Sequence, residues 1–241
     1  MDWVKKQERL QERVFEAIEE LADEFDLEVP YYPTVYYIGV GTPKYSEREK
    51  SLKEIVDPSY FLYMQRYNES VYLPYDHAIV LSTGLRSHVG EESSHLLHVT
   101  NSKIANNLGE NEHYKKILIE MIGFFGSKFI SPIRLDSLRN VGDIMGFPED
   151  ILQETREFSP DTFIYQQAYG LGGRLWVEYE NKRFTKEEAR EIYTVEKITE
   201  KEAEEMFFKL RERFWPLPEK NWIFEELVEE NEKPIIEWRI E

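Results

Sequence analysis

The sequence predicts an α+β fold: a small mixed β-sheet packed by helices, with a helical C-terminal extension. Three observations predict it. Apolar residues spaced by three and four open the chain; short β-branched and aromatic runs bounded by Pro, Gly or Asp follow; and helix-periodic segments with capping signals dominate the rest. The 241 residues suit one large domain or one domain with an appendage. A chain of this size hides roughly three quarters of its extended surface on folding.

Residues 2–25 read as one amphipathic helix, because Val4, Leu10, Val14, Ala17, Ile18, Leu21 and Phe25 recur on one face. Pro30 and Pro33 end it. Residues 34–40 read as a strand between Pro33 and Gly41. Residues 46–56 form a short helix, with Ser46 and Glu49 as a capping box. Residues 60–67 fit a helix end or an irregular aromatic stretch. Residues 70–73 and 77–82 read as two strands around a Pro74-Tyr75-Asp76 turn. A helix over 87–99 follows, then a polar break at Asn106 to Gly109, then a helix over 111–129 stopped by Pro132.

Beyond it, two short helices flank Gly146-Phe147-Pro148, and a helix over 161–176 carries Tyr169-Gly170-Leu171-Gly172-Gly173 at its end. Thr185 with Glu188, and Thr199 with Glu202, are capping boxes that open helices over 185–192 and 199–214. Trp215-Pro216-Leu217-Pro218 breaks the chain, and residues 234–240 read as a last strand. Trp215, Trp222 and Phe224 anchor this segment to the core or offer an interaction surface. The organisation is an N-terminal helix (1–30), an α+β core (31–132) and a mainly helical C-terminal part (133–241).

Hydrophobic residues make up 41% and charged residues 32%, a globular rather than disordered composition. No run of 18 apolar residues exists to span a membrane. The N-terminal residues are charged throughout, with no apolar secretory core, and cysteine is absent. The expectation is a cytoplasmic chain without disulfides or thiolate metal sites. Its Glu- and Lys-rich, Cys-free composition also matches what thermophile proteins show. The net charge of −17 is uneven: ten acids and four bases in 1–30, 22 and 14 in 151–241, but 15 and 12 in the middle. The acid therefore belongs to solvated helix faces, and such a field argues against nucleic-acid binding.

All five histidines, His77, His88, His95, His98 and His113, fall within 37 residues. On a helix each residue advances about 100°. From Glu91, His95 then lies near 40° and His98 near −20°, so the three share a face, with Glu92 on its flank. Val89, Leu96 and Leu97 point the other way, toward the sheet. An acid–imidazole face of this kind can hold zinc, which accepts imidazole nitrogen and carboxylate oxygen. A carboxylate on the flank can polarise water at such a metal.

Glu91-Glu92-Ser93-Ser94-His95 resembles the His-Glu-x-x-His helix of zincin metallopeptidases, with Glu91 in the first histidine's place. The preceding strand pair and the Glu on the next helix resemble the gluzincins, in particular compact archaeal minigluzincins. The likeness covers residues about 33–130, roughly 40% of the chain. It implies a zincin-like core, metal-dependent peptide hydrolysis and a peptide or protein substrate. It implies zinc on Glu91, His95 and Glu120, with Glu92 as general base. Two carboxylates and one imidazole donate more negative charge than the usual ligands, which weakens the activation of water and favours a harder ion such as Mn²⁺ or Fe²⁺. The alternative is a zincin scaffold that binds a partner without metal or catalysis.

Plainer roles remain open for the same residues. Glu91 and Glu92 also read as solvated acids, and Glu92 with His95 as a surface pair. His98 reads as a half-buried structural histidine or a site neighbour, and His113 as a helix-start residue or a site neighbour. His88 reads as solvent-facing and His77 as a loop residue. Glu120 pairs with Lys116 or ligates metal. Tyr169 or Tyr165 can donate to an oxyanion. Gly170 to Gly173 lacks the preceding strand of a dinucleotide site. Ser93-Ser94 lacks a nucleophile elbow. Glu92-x-x-His95 has no second copy, which a di-metal helical bundle needs.

Overall fold

The structure, a computed structural model, describes residues 3–38, 56, 64, 69–104, 108–109, 111–132 and 160–214. The expected elements at 46–56, 60–67, 134–158 and 234–240 lie outside these residues, apart from Val56 and Met64.

Helix α1 (Trp3–Phe25) buries Leu10, Val14, Ala17, Ile18, Leu21 and Phe25 along one stripe. It stops five residues before Pro30. Asp26 takes the left-handed conformation (φ 49°) and the Leu27 N–H donates to the Ala22 carbonyl at 2.9 Å, closing the end as a Schellman motif does. The buried Gln7 amide donates to the Val35 carbonyl at 2.8 Å and ties the helix to the sheet.

Strands β1 (Thr34–Tyr37), β2 (Val71–Leu73) and β3 (Ala78–Leu81) form a mixed sheet of order β1-β3-β2. β1 runs parallel to β3, with Val35 opposite Ile79; β2 runs antiparallel, with Tyr72 opposite Ile79. β3 is buried along its length, which suits a central strand of alanine, isoleucine, valine and leucine. A 3-10 turn at Pro74–Asp76 and a left-handed His77 (φ 48°) link β2 to β3.

Five further helices complete the described fold: α2 (Arg86–Asn101), α3 (His113–Ile130), α4 (Pro160–Glu180), α5 (Lys186–Tyr193) and α6 (Glu200–Phe214). α3 is the hub, packed between α2 and α4. Val89, Leu96 and Leu97 are buried, but α2 packs mainly on α3 and α1 rather than on the sheet, because three short strands are too narrow to cover it. Gly90 is why α2 and α3 approach so closely: a Cβ there would stand 2.9 Å from the Gly126 carbonyl. Gly170 to Gly173 do not end a helix. α4 continues through them to Glu180, and at Gly172 it touches α3, where a Cβ would stand 2.5 Å from the Met121 carbonyl oxygen.

The Thr185 capping box is formed in full, and Thr199 with Glu202 exchange the same bonds at the start of α6. Glu200 in turn caps α3, accepting from the Tyr114 and Lys115 N–H groups at 2.8 and 3.2 Å. One continuous core runs from Leu10 to Phe214, centred on Phe25, Phe125, Tyr179 and Tyr193. A small second cluster, Ile38, Val56, Met64 and Val80, sits apart from it. No described helix is long and apolar enough to cross a membrane.

Candidate metal centre

A cleft of about 540 Å³ opens where β2, α2, α3 and α4 meet. Glu91 and His95 enter it one turn apart on α2, and Glu120 enters it from α3. One ligand-type atom from each of the three lies within 4.8 Å of the others. His95 Nε2 stands 3.7 Å from Glu120 Oε2. Neighbouring ligands around a tetrahedral ion with ~2.0–2.1 Å bonds are about 3.3 Å apart, so the His95–Glu120 pair is close to that spacing and no pair needs to close by more than roughly 1.5 Å.

The groups are recessed but reach water: the side chains of His95 and Glu120 are 12% and 24% exposed. Burial pushes Glu91 up to about 7 against the pull of the His95 ring, and Glu120 pushes it the same way as burial. Burial likewise lifts Glu120 to about 7. It lowers His95, with Glu91 opposing, so the ring keeps a lone pair free for a cation. Buried carboxylates that hold protons into the neutral range are what an acidic cluster does when no cation offsets its charges.

Glu92 is not a solvated acid and does not form a surface pair; it is buried beside this cluster. Burial, then the charges of Glu91 and Glu120, hold it well above the ordinary carboxylate range, while the backbone N–H of Tyr72 on β2 donates to it and pulls the other way. β2 thereby positions the flanking acid.

The remaining histidines divide. His88 is not solvent-facing: it lies within α2, half-buried in the cleft wall, with Nδ1 3.2 Å from Ser70 Oγ, and burial lowers it. His98 is buried completely rather than by half, outside the cleft, with its ring edge-on to Tyr193. Burial pushes it down to about 3. The Ile192 backbone opposes this slightly, although neither ring nitrogen meets hydrogen-bond geometry with a described partner. His113 begins α3 and does not line the cleft. His77 packs edge-on against Tyr31. Tyr169 does line the cleft, in contact with Phe124 at 5.2 Å, and Tyr165 stands half-exposed at its rim. Ser94 is consumed by the helix crossing, donating to the Ile122 carbonyl at 2.8 Å and meeting the Tyr193 hydroxyl.

Three contributors were not singled out by sequence. Gly123 lets the imidazole in: a Cβ there would stand 2.5 Å from His95 Cε1 and Nε2. Glu69 lies on the rim and adds to the field on Glu91. Lys128 is buried in the cleft wall, its ammonium 5.1 Å from the Tyr169 ring centre; burial lowers it and Glu91 pulls it back. Its four-residue spacing from Phe124 and eight-residue spacing from Glu120 was the available signal.

Compared with known proteins, the chain matches no family model, no curated protein and no solved structure.

Proposed function

We propose that this chain is a zincin-like metallohydrolase acting on peptides, with a carboxylate in the first ligand position. The carrying observation is the convergence of Glu91, His95 and Glu120, with Glu92 buried alongside. Two carboxylate oxygens and an imidazole nitrogen fit zinc, and equally a harder divalent ion such as Mn²⁺ or Fe²⁺. A divalent ion held there would supply Lewis-acid polarisation of a peptide carbonyl and of the attacking water. Glu92 would accept the proton from that water and return it to the leaving amine; the β2 N–H on its carboxylate holds it in place. Phe124, Ile119 and Val99 give the cleft an apolar wall for a substrate side chain.

The test is metal titration with elemental analysis, followed by a peptidase assay on Glu92→Gln. We expect stoichiometric metal that is lost in His95→Ala, and hydrolysis lost in Glu92→Gln with metal retained. Unchanged hydrolysis in Glu92→Gln removes it as the base, and no metal uptake at any pH removes the reading.

A second reading is favoured by Glu91 itself: a scaffold that binds a partner without metal. A Glu91→His variant separates the two, since metal binding gained only on that substitution marks the natural chain as metal-free.

A further inference from the structure

We propose that Lys128 makes this cleft a subsite for a ligand carboxylate, so that the substrates are peptides whose free C-terminal carboxylate lies near the scissile bond. The substrate class rests on the peptidase reading; the carboxylate subsite does not.

Lys128 is 5% exposed, and a buried ammonium is costly unless an anion meets it. Among the described residues no carboxylate oxygen comes within 4.0 Å of its Nζ. Its visible partner is the face of Tyr169, which attracts a cation but does not neutralise it. Glu91 exerts a field on it, yet Glu91 also converges with His95 and Glu120 on a cation point. Once Glu91 is engaged there, the ammonium faces the cleft without a partner anion among the described residues.

Among the described residues, Lys128 is also the only lysine or arginine lining the cleft; the other charge-bearing side chains there are glutamates and histidines. An anionic ligand is repelled by these acids everywhere except at Lys128 and at a bound cation. The two points are separated. α2 and α3 run antiparallel, with Gly90 against Ile130 and His95 against Gly123, which sets Lys128 at the Glu91 end of the cleft and Glu120 at the other. Eight residues of helix put the Glu120 and Lys128 backbones ~12 Å apart, and the cation point lies between them, since Glu91 reaches it from the Lys128 end and Glu120 from the other. That leaves room for one extended peptide residue, at ~3.5 Å, between a carbonyl at the cluster and a terminal carboxylate at Lys128. Phe124 lies between them to receive the intervening side chain.

The experiment titrates acetyl-Ala-Ala-Phe, as the free acid and as the C-terminal amide, into the Glu92→Gln protein by calorimetry, with and without zinc. The free acid is expected to bind about tenfold more tightly or better, the scale of one charge-assisted hydrogen bond. Lys128→Met should bring the two peptides within about twofold, and Lys128→Arg should restore part of the preference. No preference, no binding of either peptide, or a preference that survives Lys128→Met overturns the proposal; the first two need no folded Lys128 variant. Zinc uptake without an acid preference removes the subsite alone. An acid preference that depends on Lys128, in a protein that takes up no metal, keeps the subsite and removes the peptidase reading.

Discussion

Substituting Gly123 by alanine should weaken metal binding without deleting a ligand. The new Cβ would stand 2.5 Å from two ring atoms of His95, whereas ordinary contact begins near 3.4 Å, so the imidazole must retreat by roughly 1 Å. A metal bond tolerates about 0.2 Å. Nε2, now 3.7 Å from Glu120, therefore leaves the position from which both can serve one ion. Supporting-residue changes of this kind cost about 10–100-fold in metal affinity, or about 1.4–2.8 kcal/mol. Stability should change less, because alanine gains ~1 kcal/mol of helix propensity over glycine, offsetting part of a ~1–3 kcal/mol overpacking cost. Gly126→Ala is the control. Its Cβ would strike Ser94 at 2.5 Å, a residue bonded to Ile122 and Tyr193 rather than to the cluster. Zinc titration by calorimetry, beside thermal melts in chelator, separates the effects. If Gly123→Ala binds zinc within about twofold of wild type, or loses no more affinity than Gly126→Ala, the ring is not held by that gap.

Metal-free stability should fall as pH rises from about 4.5 through 7, because Glu91 and Glu120, held up at about 7, keep protons that the unfolded chain has released. Zinc should therefore raise the melting temperature more at pH 8 than at pH 5, and equal shifts at both would contradict the linkage. His98 acts in the opposite sense: its native pKa is lowered to about 3, so its contribution is full above 6.5 and is lost as pH falls toward 3. His98→Leu should then recover about 3 kcal/mol relative to wild type at pH 4, in urea melts compared with those at pH 7. Gly172→Ala should cost about 2 kcal/mol or more, since its Cβ meets the Met121 carbonyl oxygen at 2.5 Å and backbone cannot retreat as a side chain does; an unchanged urea midpoint would show that α4 shifts freely on α3.

What the sequence revealed was local. The α1 stripe, the Thr185 and Thr199 capping boxes and the strand pair around Pro74 each depend on residues a few positions apart, and each is present where its period or cap places it. The α-helical angles of Glu91 and His95 put them on one face by the same reasoning. Distances between elements were not legible. Gly123 and Gly126 read as poor helix formers until their place against α2 is known, and Gly172 reads as a helix end because glycine usually marks one. Glu92 looked surface-compatible and His98 only half-buried because helical phase does not say how many neighbours surround a helix. α2 is enclosed by α1, α3 and the sheet together, so its flanks are buried as well as its apolar face. Lys128 was hidden by composition, one of 30 Lys and Arg residues, until burial separated it from the rest.

That lysine bears on the proposed metallohydrolase reading, in which Glu91 takes the first ligand position. Replacing an imidazole by a carboxylate adds one negative charge to a ligand set, and in a recessed site the charge is poorly screened. Glu91 and Glu120 ionised beside a neutral His95 carry −2, against −1 for two imidazoles and one carboxylate. Lys128 acts on Glu91 across the cleft and brings the total back to −1. The field at a cation would then resemble that of the histidine-containing set, although the donor atom differs. By that reckoning a carboxylate at position 91 does not by itself imply a dead site. The compensating charge sits 37 residues away on the next helix.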